Sequence, residues 1–219
     1  IERIGSGCAS NPMRVLIRLT APSKGVVTRK PIPLDDIRRV QRECVQIDDD
    51  IRWLVALVSD TGMRLAEAGG LSVDDFNLQA DIPFVEVRPH PWRSLKTSAS
   101  ARVIPLSGMA LWAAQRILQE ADTSSHAFPR YNRGSCTSAN SASAAINKWL
   151  KNHVPEGCTM HSFRHSMRDR LRAVQCPADI ADQIGGWVTD GVGQGYGSGY
   201  PIEVLMEWIA KTVAATEVG

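Results

Sequence analysis

The sequence predicts a mainly helical fold with a small antiparallel β-sheet, an α+β arrangement. Most segments between turn signals repeat apolar residues every three or four positions, which is typical of amphipathic helices. Only two stretches, 84–88 (FVEVR) and 102–106 (RVIPL), are β-like, and the polar, proline-containing sequence between them predicts a hairpin with a long turn. The 219 residues, 43% of them hydrophobic, suffice for one sizeable core.

The chain divides into a short leading segment and one predicted domain. Residues 1–34 carry prolines at 12, 22, 31 and 33 and little periodicity, so we interpret them as a linker or the remnant of an upstream region. Residues 35–219 form the predicted domain. No apolar run approaches the ~18 residues of a membrane span, and the start at Ile1 has no signal pattern, so we expect a soluble protein, cut from something longer.

Three helices are predicted before the first strand. Asp35 caps the first, which runs to about Val45, and the second follows from about Asp49 until Thr61-Gly62 breaks it. A short third helix from Arg64 ends at the Gly69-Gly70 pair. The inward-facing residues of the first two are expected to be Ile37, Val40, Cys44, Ile51, Leu54, Val55 and Val58.

The second half is predicted to be helical apart from a loop at 122–137. Helices are expected from Ser107, from Ser138, over 160–174, from Pro177 to Gly185, and from Ile202 to about residue 214. Their apolar faces are expected to carry Leu111, Trp112, Ile117, Leu118, Ala142, Ala145, Ile146, Trp149, Leu150, Ile180, Ile184, Leu205, Met206, Ile209 and Val213.

The helix over 160–174 has two distinct faces. Its apolar stripe consists of Phe163, Met167, Leu171 and Val174, and its other side of His161, Arg164, His165, Arg168 and Arg172. His161 and Arg164 are three residues apart, so both side chains can point at one target. The same pair could also be structural and bind backbone carbonyls.

Charge and cysteine usage narrow the class of protein only weakly. The net charge is +2, but basic residues cluster in 14–42, 88–102 and 161–172, which favours a polyanionic partner. Solvated faces would explain the clusters equally well. Five cysteines without a C-x-x-C pair predict neither a disulfide framework nor a zinc site, and they fit a reducing, intracellular setting. No carboxylate pair, Ser-His-Asp order or P-loop is present.

An ordered set of motifs resembles the tyrosine recombinases of the phage-integrase type. The set comprises TGMRLAEAGGL (61–71), LKTSASARVIPL (95–106), HSFRHS (161–166), GGW (185–187) and a tyrosine at 196. The resemblance covers about residues 35–200. It implies the DNA breaking-rejoining catalytic-domain fold, in which a tyrosine hydroxyl attacks a DNA phosphodiester, forms a 3′-phosphotyrosyl bond and releases a 5′-hydroxyl.

The resemblance also implies roles for single residues. Arg64 and Arg164 match the two arginines that hold the non-bridging phosphate oxygens, for which a planar guanidinium is suited. Lys96 matches the lysine that protonates the leaving 5′-oxygen, although a solvated turn lysine is the plain alternative. His161 matches the first position of the H-x-x-R motif, a proton acceptor and phosphate ligand.

The remaining matched positions are Trp187, Tyr196 and two supporting residues. Many members have histidine where this chain has Trp187, so its indole N–H is expected to position the phosphate and pack, without acid–base work. Tyr196 is the expected nucleophile, with alternating glycines from 191 to 199 as its hinge, and Tyr200 is the competing candidate. Glu67 is expected to hold structure through a buried hydrogen bond, and His165 to support the motif from behind.

The resemblance further implies the partners. Double-stranded DNA is the expected substrate, bound by a homotetramer, with a monomer as the alternative for the free protein. No cofactor, metal or membrane is expected. The helix after the nucleophile is expected to dock on a neighbouring subunit, or else on its own core. Family members usually carry an N-terminal DNA-clamping domain, which we do not expect in the 34 residues that precede the predicted domain here. A cytoplasmic, nucleoid-associated setting follows. Type IB topoisomerase-like nicking and closing, and inert DNA binding on the same fold, are the alternatives.

Overall fold

The computed structural model describes residues 30–97, 100–121, 124–133, 136–187 and 199–217. Eight helices and two small sheets occur in these ranges. The helices are α1 (Leu34–Ile47), α2 (Asp50–Thr61), α3 (Leu65–Gly69), α4 (Gly108–Gln119), α5 (Ala139–Leu150), α6 (Ser162–Ala173), α7 (Ala178–Gly185) and α8 (Ile202–Glu217). The strands are β1 (Phe76–Asn77), β2 (Phe84–Val87), β3 (Arg102–Pro105), β4 (Asn132–Arg133) and β5 (Cys136–Thr137). The mainly helical fold class is confirmed.

The sheet that carries the predicted hairpin is antiparallel, with strand order β1-β2-β3. Val85 pairs with Ile104 and Val87 with Arg102, as expected for a hairpin of 84–88 and 102–106. The strand β1, which pairs Phe76 with Val85, was not predicted because two residues are too short to show an alternating pattern. The second pair, β4 with β5, lies in the segment predicted as a loop at 122–137, together with a 3₁₀ turn at Pro129–Tyr131.

Helix α2 is the centre of the packing. Seven of its residues from Leu54 to Asp60, and Thr61 after them, are buried, and it packs against α1, α4 and α6. Asp49 caps α2 by accepting a hydrogen bond from the Arg52 amide at 2.9 Å, as a short polar side chain does at a helix start. A buried ion pair at 2.9 Å between Asp60 and Arg170 ties α2 to α6. The TGMR turn therefore directly follows this central helix, and α6, which carries Arg164, packs against it.

The predicted apolar faces of two helices differ from the structure in detail. In α4 the buried residues are Ala110, Ala113, Ala114 and Ile117, while Leu111, Trp112 and Leu118 are only partly buried. The small alanines allow α4 to lie close against α2, and the larger side chains occupy the edge of that contact. In α5, Ala145 is exposed, whereas Ala142, Ile146 and Leu150 are buried and Trp149 packs against the core partly buried.

The two ends of the described chain pack on its body. Ile32 is buried, and its backbone exchanges hydrogen bonds with the Ser166 hydroxyl on α6 at 2.7 and 3.1 Å. At the other end α8 buries Leu205, Ile209 and Val213 and packs on β3, α6 and α1 of its own chain. None of the described helices is long and apolar enough to cross a membrane.

Candidate DNA-cleavage site

The turn between α2 and α3 fixes Arg64. Gly62 ends α2 with φ +64°, a conformation that glycine adopts freely, and a Cβ there would press on Met167 of α6. Arg64 then stands at the start of α3, where the Glu67 carboxylate accepts hydrogen bonds from its amide at 3.0 Å and from its Nη1 at 2.5 Å. The backbone and the guanidinium of Arg64 are thus held by one side chain.

Arg164 approaches Arg64 from α6 and is only 4% exposed. Its Nη1 donates to the Gly62 carbonyl at 2.8 Å and its Nη2 to the Gly186 carbonyl at 3.2 Å. Arg64 Nη2 reaches the same Gly186 oxygen, with a longer separation of 3.4 Å. Two guanidiniums from segments 100 residues apart therefore converge on one carbonyl oxygen. Arg164 also fits the structural alternative, because its donors do bind backbone carbonyls.

The GGW motif forms the turn that brings this carbonyl to both arginines. Gly186 ends α7 with φ +59°, and the Trp187 amide then donates to the Asp182 carbonyl at 3.0 Å. Gly185 has no space for a side chain, because a Cβ there would overlap the Trp187 ring. The ring lies under the guanidiniums of Arg164 and Arg168, whose Cζ atoms are 4.6 and 5.0 Å from its centroid. Trp187 therefore packs against the two arginines through its ring face. That its indole N–H positions the phosphate stays a prediction.

Arg102 is a buried residue of the site that sequence reasoning did not single out. Its Nη2 pairs with Glu67 Oε2 at 3.1 Å, its Nε donates to the Ile184 carbonyl at 2.9 Å, and its Nη1 donates to the Ser100 carbonyl at 2.7 Å. The sequence counted Arg102 only as one charge of the 88–102 cluster, since a basic residue at a strand start gives no sign of burial. We call Arg64, Arg102, Arg164 and Glu67 the arginine cluster.

The arginine cluster holds three cations against one carboxylate. Burial would raise the pKa of the Glu67 carboxyl, but the Arg102 charge and the hydrogen bonds from Arg64 outweigh it and hold that pKa below its usual value. Burial, and then the charges of Arg64 and Arg102, lower the pKa of Arg164 to about 9. Arg164 still carries its proton at neutral pH. The cluster therefore has uncompensated positive charge, which an anion would relieve.

Lys96 lies beside this cluster in the long turn of the β2–β3 hairpin. Its side chain is exposed and makes no hydrogen bond or ion pair with the described part of the chain. The next residue, Thr97, is fixed: its Oγ1 lies 3.0 Å from Ser100 Oγ, and its carbonyl accepts from the Ser100 amide at 3.1 Å. Ser100 Oγ in turn accepts from Arg64 Nη1 at 3.1 Å. We call residues 95–97 the lysine turn.

The two histidines of the H-x-x-R motif differ in their surroundings. His161 is partly buried at the residue before α6, and its carbonyl accepts from the Arg164 amide at 3.1 Å. His165 is exposed, and its ring meets that of His161 edge to face, with centroids 5.2 Å apart. His161 therefore precedes Arg164 by one helical turn, and His165 lies behind it toward solvent.

Of the two tyrosines of the glycine-rich segment, the structure describes only Tyr200. Tyr196 lies outside the described residues. Tyr200 is held on α7: its hydroxyl donates to the Asp179 carboxylate, its amide donates to Gln183 Oε1 at 2.8 Å, and its carbonyl accepts from Gln183 Nε2 at 2.9 Å. The hydrogen bond to Asp179 raises the pKa of the Tyr200 phenol, and this contact engages the hydroxyl at α7.

The structure thus brings most of the site residues predicted from the motifs close together. Arg64, Arg164 and Trp187 meet at the Gly186 carbonyl, Lys96 is one residue from a segment bonded to Arg64, and His161 leads into Arg164. Glu67 has the buried, bonded position expected of it. Arg168 was seen only as part of a basic face, yet it covers Trp187 and pairs with Asp182 at 3.1 Å.

Comparison with known proteins gives the same assignment. A family model described as "Phage integrase family" matches residues 34–198. The tyrosine recombinase XerD of Corynebacterium glutamicum is 31% identical over 126 residues, which are 55% of this chain and 38% of that protein. The chain therefore covers well under half of this relative's length.

Two solved recombinase structures share the fold. The XerA recombinase superposes with a TM-score of 0.56 at 20% identity, covering 91% of this chain and 69% of that one. The XerH site-specific recombinase bound to its difH substrate gives a TM-score of 0.56 at 15% identity, covering 74% and 47%. The family match over most of the chain, with the ordered motifs assembled at one place, establishes that the chain belongs to the phage integrase family and carries a tyrosine recombinase catalytic domain.

Proposed function

We propose that this domain cuts and rejoins double-stranded DNA at specific sites through a 3′-phosphotyrosyl intermediate on Tyr196. The observation that carries the proposal is the convergence of Arg64 and Arg164 on one carbonyl oxygen, with Trp187 beneath Arg164. Oxygen of a phosphodiester can take the place of that carbonyl as hydrogen-bond acceptor, and its negative charge matches the excess positive charge of the arginine cluster.

The cleavage step conserves bonds and charge without a cofactor. The Tyr196 oxygen forms a bond to phosphorus, and the bond from phosphorus to the 5′-oxygen breaks. His161 accepts the proton of the attacking hydroxyl, and Lys96 gives a proton to the departing 5′-oxygen. Arg64 and Arg164 stabilise the charge that grows on the non-bridging oxygens, and Trp187 keeps Arg164 in position. Rejoining is the same step in reverse, with another 5′-hydroxyl as the nucleophile.

Tyr200 is a weaker candidate for the nucleophile. Its hydroxyl is engaged by Asp179, its backbone is paired with Gln183, and both partners belong to α7. Attack by Tyr200 would require these contacts to be given up. Tyr196 stands nine residues after Trp187, as the family pattern implies, and is therefore the proposed nucleophile.

The assembly on DNA is also part of the proposal. A homotetramer on DNA is proposed from the family, in a cytoplasmic, nucleoid-associated setting. For the C-terminal helix, the burial of Leu205, Ile209 and Val213 on the chain's own β3 and α6 favours docking in cis over exchange with a neighbour. Deleting residues 202–219 distinguishes the two, because loss of assembly without loss of folding is expected only for an exchanged helix.

The test is a search for protein-bound DNA under denaturing conditions, together with relaxation of supercoiled plasmid. Wild type is compared with Tyr196→Phe and Tyr200→Phe. We expect a covalent adduct that disappears only in Tyr196→Phe, and an adduct retained by that variant would contradict the assignment. Relaxation without strand exchange between two DNA duplexes would favour the topoisomerase-like alternative. DNA binding without any adduct, also when upstream sequence is restored, would favour the inert binding module.

A further inference from the structure

Arg102 is the most completely bonded cation of the arginine cluster. Its side chain is 4% exposed, and each of its three nitrogen atoms donates to a different acceptor. It opens β3 opposite Val87, so its backbone is fixed by the sheet. Burial lowers the pKa of Arg102, and the Glu67 carboxylate counteracts this. An arginine buried to this degree is costly unless its nitrogen atoms find acceptors, and here each of the three donates one hydrogen bond.

The three acceptors of Arg102 belong to three separate segments of the site. Glu67 lies in α3 and binds Arg64. The Ser100 carbonyl lies just beyond the lysine turn, and the side chain of Ser100 contacts both Thr97 and Arg64. The Ile184 carbonyl lies at the end of α7, two residues before the Gly186 oxygen that both Arg64 and Arg164 reach. Arg102 therefore joins the lysine turn to the part of the site that would hold the phosphate.

Stability alone does not account for an arginine at this position. Replacing a buried ion pair by apolar residues of similar size is often neutral or stabilising. A planar guanidinium, however, donates in fixed directions from three separate nitrogen atoms, whereas a lysine donates from a single nitrogen that rotates freely. Arg102 can therefore fix the distances between the three segments that its nitrogen atoms contact.

We propose that Arg102 is a positioning residue for proton donation: it holds the lysine turn against the phosphate-binding side of the site, so that Lys96 meets the departing 5′-oxygen. This rests on the proposed function of the domain. In the cleavage step the bond from phosphorus to the 5′-oxygen breaks, and a proton moves from the Lys96 ammonium to that oxygen. Arg102 does not touch the DNA in this scheme and acts only through the segments that it joins.

The experiment compares an oxygen and a sulfur leaving group. DNA with a 5′-bridging phosphorothiolate at the scissile position releases a thiolate, which needs no proton donor, so a defect in proton donation is recovered on it. The variants are Arg102→Lys, which keeps the charge but loses the fork of donors, Lys96→Ala as the reference, and Arg116→Lys as a control on α4. Cleavage rate, DNA affinity and Tm are measured for each.

We expect Arg102→Lys to cleave ordinary DNA on the order of 10- to 100-fold more slowly, part of the ~10²–10⁴ that acid–base catalysis contributes. On the sulfur substrate the loss should be largely recovered, as for Lys96→Ala, with DNA affinity unchanged. Equal slowing on both substrates would mean that Arg102 acts on phosphate binding or on the fold, and no slowing would mean that it does not act at all; either overturns the proposal.

A second measurement does not depend on catalysis. Lys96 is exposed, and trypsin cuts after it faster when the lysine turn is held less firmly; mass spectrometry identifies that cut. Arg102→Lys should be cut there faster than wild type and Arg116→Lys, under conditions where all three remain folded. Equal rates would overturn the inference even if the wild type cleaves DNA. A wild type without any covalent adduct, but with the faster cut in Arg102→Lys, would contradict the proposed function and leave the positioning by Arg102 supported.

Discussion

The arginine cluster and the lysine turn lie side by side but are built in opposite ways. Arg164, Arg102 and Glu67 are almost fully buried, and each is held by two or more hydrogen bonds. Lys96 is exposed, and only its neighbour Thr97 is attached to the cluster, through Ser100. The difference suits the two tasks. Charge stabilisation benefits from dipoles and cations fixed before the substrate arrives, whereas a proton donor must release its proton and exchange it with solvent.

The largest effect is expected from removing a fixed cation of the cluster. Arg164→Gln should slow covalent adduct formation on the order of 10²–10³-fold, as loss of one preorganised electrostatic contact does. The matched control is Arg168→Gln, because Arg168 covers the same Trp187 ring from the solvent side and is about one third exposed. Its loss should change the rate by no more than about threefold, since Arg168 lies outside the arginine cluster. Because its partner Asp182 is buried, Tm is measured for this variant as well.

The comparison of these two arginines is decisive only if both variants fold. Arg164→Lys keeps a charge at the position and serves as the second variant, with Tm as the check on folding. Equal rates for Arg164→Gln and Arg168→Gln, at equal Tm, would mean that the buried arginine is merely structural and binds only the Gly62 and Gly186 carbonyls.

A smaller effect is expected at the glycine that allows the tryptophan platform. Exchanging glycine for alanine inside a helix usually stabilises by ~0.5–1 kcal/mol. At Gly185 the new Cβ would overlap the Trp187 ring, so we expect Gly185→Ala to destabilise the domain by about 1–3 kcal/mol, as overpacking does. Gly69→Ala is the control, because a Cβ there would meet only the Thr137 methyl group at an ordinary 4.0 Å.

Urea unfolding of the two alanine variants gives the measurement. The two should shift in opposite directions, or at least differ clearly in midpoint. If Gly185→Ala were as stable as Gly69→Ala, the Trp187 ring would not be fixed over α7. That ring could then not hold Arg164 in place before the substrate binds.

The sequence predicted the parts of this site that are local in the chain. The turn at Gly62, the helix of His161 and Arg164, and the GGW turn all follow from spacing and glycine positions. Arg102 and Ser100 could not be found in this way, because their burial depends on α3 and α7 folding against β3. The face of α4 differs from the prediction for the same reason: Trp112 was among its predicted apolar residues, but the close contact with α2 buries alanines.

The smallest effect concerns the one carboxylate on which the cluster depends. The folded pKa of Glu67 lies below its unfolded value of about 4.5, because Arg102 and Arg64 favour the ionised form against the opposing effect of burial. Its contribution to stability is therefore complete above the unfolded pKa and is lost as the pH falls through the folded pKa. Wild type should lose stability over that acidic range, and Glu67→Gln, which has no such proton to bind, should lose less.

The measurement is the free energy of unfolding in urea at a series of pH values from about 6 to 3. Glu86, a carboxylate on β2 whose side chain is 45% exposed, provides the control through Glu86→Gln, which should follow the wild-type curve. If Glu67→Gln followed that curve as well, Glu67 would not be ionised within the cluster. The three arginines would then have no buried counter-charge, and the fixed side of the site would owe its order to backbone carbonyls alone. In that case the arginine cluster would differ from the exposed Lys96 in its burial, and no longer in having a paired counter-charge.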